Sequence, residues 1–170
     1  SVATDAAAVE RVFEAKGRPQ EKAMPVLIGE VAQLADLAAE VPPELRRLMR
    51  AFWPGALTVV LPRSPRFVSP AAPGDTVAVR LPDHDWLREV LRLAGPVVGT
   101  SANRSGQPSP RRASEVAEQI GHGVDLIVDG GTAPGTASSV VALTEFGVRM
   151  LREGAVSRSD LERVVNSPLH

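Results

Sequence analysis

Val9, Val12 and Phe13 recur at helical spacing between Asp5 and Lys16, predicting an amphipathic helix there with Thr4 as its N-cap. Pro25-Val26-Leu27-Ile28 reads as a short buried strand, and Val31, Leu34, Ala35 and Ala38 predict a helix after it. Leu45, Leu48, Met49 and Phe52 stand at i, i+3, i+4 and i+7, a third helix that Trp53-Pro54-Gly55 stops. Leu57–Leu61 and Thr76–Arg80 read as strands. The Pro- and Ser-rich connection between them shows no helical period, so they predict an antiparallel pair. Trp86, Leu87, Val90 and Leu91 mark another helix, followed by a strand ending at Gly99. Ser114 is placed to cap a helix containing Val116 and Ile120. Leu126–Val128, Ser139–Leu143 and Val148–Arg152 read as strands, and Ser157-x-x-Asp160 opens a last helix as a shortened capping box.

Strands outnumber the helices that could cross between parallel neighbours. The expected architecture is therefore α/β, with a twisted mixed sheet of parallel and antiparallel strands flanked by helices in a single domain over residues 1–170. With 170 residues and 44% hydrophobic side chains, the chain can bury roughly two-thirds of its extended surface in one core. The 19 Lys and Arg nearly match the 20 Asp and Glu, unlike the basic excess of a dedicated nucleic-acid binder. Absence of cysteine excludes a thiolate nucleophile and cysteine metal ligation, and suits a reducing, cytoplasmic setting. No apolar run approaches the ~20 residues of a membrane helix, so no membrane partner is expected.

The chemistry concentrates in two segments. Lys16-Gly17-Arg18-Pro19 stands where the first helix stops, and Ser101-Ala102-Asn103 directly follows an apolar strand. Arg grips phosphate oxygens bidentately, Lys supplies a mobile point charge, and Ser and Asn add neutral donors. Together they predict a phosphate site. Gly130–Thr136 has the glycine spacing of a P-loop, but Thr136 replaces the required Lys. Gly99–Asn103 approaches a nucleophile elbow, yet Asn103 stands where its second Gly is needed. Three scattered histidines offer no metal cage.

Four segments in this order, Lys16-Gly17-Arg18-Pro19, Trp53-Pro54-Gly55-Ala56-Leu57-Thr58, Val77–His84 and Thr100–Gly106, resemble the YrdC/Sua5 family of threonylcarbamoyl-AMP synthases. Ser138-Ser139-Val140-Val141 and Leu151-Arg152-Glu153-Gly154 resemble its last site segments. The family's strand and turn, roughly Pro-Thr-(Glu/Asp)-Thr-Val-Tyr-Gly-Leu, is expected ahead of Ser1, outside this sequence.

The resemblance implies a YrdC/RibB-like fold and a nucleotidyltransferase. Such an enzyme condenses L-threonine, bicarbonate or CO2, and ATP into threonylcarbamoyl-AMP and pyrophosphate. The product serves adenosine 37 of tRNAs through downstream tRNA threonylcarbamoyl-transfer proteins. It implies catalytic roles for Lys16, Arg18, Ser101 and Asn103. The ATP contacts would include these four with Lys22, Thr76 and Arg152, and threonine would meet Arg80 and Ser139. Mg2+ would arrive with the nucleotide phosphates, and no protein metal site is expected. Rival readings are a tRNA- or double-stranded-RNA-binding module, a diverged paralogue without synthase activity, and a carbamoyltransferase module. His84 is explained at least as well by local loop structure, and Trp53-Pro54-Gly55 reads as architectural.

Overall fold

The computed structural model describes residues 1–133 and 135–170. Pro134, inside the glycine-rich segment 130–136, lies outside the described residues. The chain runs α1 (Ala6–Lys16), β1 (Val26–Leu27), a 3-10 turn (Val31–Gln33) leading into α2 (Leu34–Leu37), then α3 (Pro43–Phe52), β2 (Leu57–Pro62) and β3 (Thr76–Arg80). It continues with α4 (Asp85–Ala94), β4 (Val97–Val98), α5 (Ala113–Ile120), β5 (Ser139–Thr144), β6 (Gly147–Arg152) and α6 (Arg158–Val165).

The six strands lie in the order β4-β1-β3-β2-β5-β6. β1 pairs with β3 and β2 with β5 in parallel, while β1–β4, β2–β3 and β5–β6 are antiparallel. The sheet is mixed, as strand counting predicts. Its register aligns Val98, Val26, Val79, Val59 and Val141 across five strands, and all five are buried. Val9 and Phe13 of α1, Leu45 and Leu48 of α3 and Leu161 of α6 join them in one hydrophobic core. Side chains alternate along a strand, so the intervening positions Leu27, Ala78, Arg80, Val60, Val140 and Ala142 face the other way. Each of these is only partly buried. One face of the sheet carries the core, and the other is partly open, with Thr58 and Ser138 buried on it.

Local signals explain most boundaries and correct several expectations. The N-cap of α1 is Asp5 rather than Thr4: its carboxylate accepts from Ala8 N at 3.0 Å, worth about 1 kcal/mol. The helix expected from Val31 to Ala38 breaks into the 3-10 turn and a single short turn of α2, with the Gln33 amide accepting from Gly29 N and donating to Leu91 O. α5 begins at Ala113 with Ser114 inside it. The N-cap is Arg112, with no side-chain cap, and the Glu115 carboxylate holds the segment leading in by accepting from Arg111 N at 2.7 Å. Ser157 caps α6 as its sequence predicts.

Leu126–Val128 is not a strand. Leu126 is 77% and Val128 57% exposed. An apolar run becomes a strand only where a neighbour takes its hydrogen bonds, and no described strand lies beside this one. The Pro-rich connection after β2 is a stapled loop: Arg63 donates to Gly74 O at 2.7 Å and to Phe67 O at 2.5 Å. Among the described residues no helix is long and apolar enough to cross a membrane.

Candidate anion-binding site

α1 ends on Gly17, whose φ of +56° is left-handed. Gly17 N donates to Glu14 O and Arg18 N to Phe13 O, the paired bonds of a Schellman stop. This stop aims Lys16 at the loop after β4. Lys16 Nζ donates to Ser101 O at 2.5 Å and to Asn103 O at 2.6 Å, and Lys16 O accepts from Ser105 N at 2.7 Å. Although charged, Lys16 is only 4% exposed. Burial, and then the neighbouring Arg18 charge, push its ammonium below the ordinary lysine value. Lys16 thus sets the shape of the 101–105 loop as well as its charge. Lys16 and Ser101 also border a cavity of about 460 Å3, lined further by Ala8, Val12, Ala15 and Val98.

Ser101 is exposed, and its hydroxyl bonds no other described residue. Asn103 differs from the donor expected of it. Its amide nitrogen is committed to Arg104 O at 2.8 Å and Gln107 O at 2.7 Å. Buried Oδ1 has no hydrogen-bond partner among the described residues. What Asn103 offers is an acceptor and a rigid loop, not a grip on phosphate. Arg18 spends one edge on the turn that follows it, donating to Lys22 O at 3.3 Å and Ala23 O at 3.0 Å. Lys22 and Thr76 are exposed, and neither side chain bonds another described residue.

A second group forms on the open sheet face. Leu27 pairs with Arg80, Thr58 with Val140 and Val140 with Arg152. The β2–β3 register, carried one residue past Val59–Val79, sets Thr58 level with Arg80. Both arginines therefore stand on one row across the sheet. Arg80 Nε donates to Gly55 O at 2.8 Å. Arg152 donates through Nε and Nη2 to Ser138 O at 3.0 and 2.9 Å, and through Nη2 to Ser138 Oγ at 3.1 Å. Burial, with Arg152 adding its charge, pushes the Arg80 guanidinium below the ordinary arginine value. The Trp53-Pro54-Gly55 turn supplies the carbonyl that holds Arg80, and its Trp53 Nε1 donates to Leu57 O at 2.7 Å.

Ser139, expected at the amino-acid substrate, faces away from this row. It is fully buried. Its hydroxyl donates to Val156 O and accepts from Gly154 N and Val156 N, which pins the turn following Arg152. Ser138 is the serine on the open side. Alternation alone carried that signal, because Ser139 shares the face of buried Val141 while Ser138 shares that of Val140. Thr58, whose burial the sequence pattern does not anticipate, bonds Ser138. His84 caps α4, its Nδ1 accepting from Leu87 N, and Arg111 donates to Ala133 O.

Five ion pairs form among the described residues, and none involves Lys16, Arg18, Arg80 or Arg152. No group of three His, Cys, Asp or Glu gathers to hold a metal. Uncompensated cations anchored by carbonyls are preorganised for oxyanions. Fold and site together define an α/β protein whose sheet carries, on the face away from the core, arginines anchored by backbone carbonyls. The chain belongs to the Sua5/YciO/YrdC family, whose model, described as "Telomere recombination", matches residues 1–154.

The threonylcarbamoyl-AMP synthase of Bacillus subtilis (strain 168) is 40% identical over 167 residues, covering 96% of this chain and 48% of that protein. The Pyrococcus abyssi (strain GE5 / Orsay) threonylcarbamoyl-AMP synthase is 42% identical over 168 residues, covering 96% of this chain and 49% of the relative. The crystal structure of P. abyssi Sua5 complexed with L-threonine superposes with a TM-score of 0.90 at 40% identity. That match covers 100% of this chain and 51% of the other. The chain spans about half the length of the curated relatives it matches.

Proposed function

We propose that this chain forms threonylcarbamoyl-AMP and pyrophosphate from L-threonine, bicarbonate or CO2, and ATP. The observation that carries this reading is the row of Arg80 and Arg152, two guanidiniums fixed by backbone carbonyls without an ion-pair partner among the described residues. The names of the Bacillus and Pyrococcus relatives and the L-threonine complex of P. abyssi Sua5 support it.

The threonine amine adds to CO2, or to bicarbonate with loss of water, giving a carbamate. A carbamate oxygen then attacks the α-phosphorus of ATP, and pyrophosphate leaves with the electron pair of the broken P–O bond. Both reactants are anions, so the protein's task is to hold them together and offset their repulsion. Arg80 takes the threonine carboxylate with its free Nη groups, and Arg152 offers the remaining edge of its guanidinium to the nucleotide. Lys16, through the loop it shapes, Arg18 and Lys22 face the phosphates, with Ser101 donating its hydroxyl and Thr76 at the nucleotide's edge. Mg2+ enters as part of the MgATP substrate. The product passes to downstream proteins that modify adenosine 37 of tRNAs in the cytoplasm.

Pyrophosphate release should require ATP, threonine and bicarbonate together. A folded protein that releases none, or releases it equally without threonine, overturns the reading.

A further inference from the structure

Thr58 lies between the two arginine-bearing strands and is 1% exposed, a buried hydroxyl on the side of β2 that otherwise opens outward. Its Oγ1 is 2.8 Å from Ser138 Oγ. Ser138 Oγ in turn accepts from Arg152 Nη2 at 3.1 Å, and Ser138 O accepts from the same guanidinium edge. A serine hydroxyl rotates readily, whereas a β-branched threonine in a strand is stiff about χ1. With Thr58 in place, Ser138 Oγ has one neighbour behind it and one in front.

We propose that Thr58 is a positioning residue, acting through Ser138 to lock one edge of Arg152 so that the other edge meets the anionic substrate. The nature of that substrate rests on the function proposed above; the locking of Arg152 does not. Buried side-chain networks of this kind rigidify only when each member is paired. Removing the Thr58 hydroxyl frees Ser138 to turn away from the guanidinium.

The test uses Thr58→Val, which keeps the shape without the hydroxyl, and Thr58→Ser, which keeps the hydroxyl. The Arg152 Nη2–H resonance, identified by its disappearance in Arg152→Lys, reports on the lock, because Nη2 is the atom that meets Ser138 Oγ whereas Nε bonds only the Ser138 backbone oxygen. Thr58→Val should speed its hydrogen exchange by about five-fold, the equivalent of the about 1 kcal/mol of one hydrogen bond. Thr58→Ser should restore the wild-type rate. In steady-state assays Thr58→Val should raise the KM for ATP by a similar factor of about five while kcat stays within about two-fold, again with rescue by Thr58→Ser.

Unchanged Nη2–H exchange in Thr58→Val overturns the proposal. Faster exchange with an unchanged KM for ATP upholds the lock and overturns the assignment of Arg152 to the nucleotide. Should Thr58→Val fail to fold, Thr58→Ala is read on the same resonance by the same criteria.

Discussion

Lys16 holds a charge where burial disfavours it, which gives the site a pH signature of known sign. A lysine whose folded pKa is depressed binds fewer protons in the folded than in the unfolded chain between its folded and ordinary values. Folding stability therefore rises with pH across that window. Anion affinity must move the other way, because the bound anion needs the ammonium that is being lost. Calorimetric titration with pyrophosphate should show affinity falling as pH rises, starting below the range in which an ordinary lysine titrates. Lys16→Met should bind more weakly at neutral pH and lack this early alkaline fall. A wild-type profile flat until the ordinary lysine range would mean that Lys16 acts only as the brace of the 101–105 loop. Asn103 makes a related point: its residue type suggested a donor, but the carbonyls of Arg104 and Gln107 consume that donor. Side-chain chemistry was legible in the sequence; which atom remains free was not, because neighbouring backbone decides it.

At the scale of elements, the turn after β6 governs where Arg152 stands. Ser139 closes it with three hydrogen bonds, and Gly154 lets it approach β5: a Cβ there would lie 2.3 Å from Ala137 O and 2.6 Å from Ser138 C. Ser139→Ala leaves Gly154 N, Val156 N and Val156 O without their buried partner, a loss of about 1–3 kcal/mol. Denaturant unfolding should show this as a lower midpoint with an unchanged slope. Ser139→Cys should recover only part of the loss, since sulfur is a weak donor and acceptor. A stability equal to wild type in Ser139→Ala, together with a raised KM for threonine, would return Ser139 to the substrate side. Alternation of side chains along β5 already separates the two serines. A family-type motif in sequence order does not reveal which serine faces the open side; the pleat does.

Across the whole molecule, hydrophobic period was enough to find α1, α3, β2, β3 and β5, which bury apolar residues at the expected spacing, and also α4 and β6, although these bury only Leu91 and Val148. It failed at Leu126–Val128, whose apolar residues have no described strand to bond. It also failed at Thr58, a polar residue whose burial depends on side chains distant in sequence. The joining of Lys16 to Ser101 and Asn103 spans 85 and 87 positions, a contact that only motif order could suggest. Charge was legible from the start and bears on the choice between small anions and RNA. The formal net charge is −1, so the chain has no overall basic excess with which to hold a polyanion. Polyanion binding depends on many phosphate contacts and weakens steeply with salt, whereas a few anchored, partly buried cations are screened much less. Double-stranded RNA should therefore give no stable gel-shift complex at about 0.15 M ionic strength, where the Debye length is about 8 Å. Threonine-dependent pyrophosphate release should persist at that same salt. An RNA complex that survives there, with a steep salt slope lost in Arg18→Ala and Arg152→Ala, would show that the open face is a nucleic-acid surface and would displace the small-molecule reading.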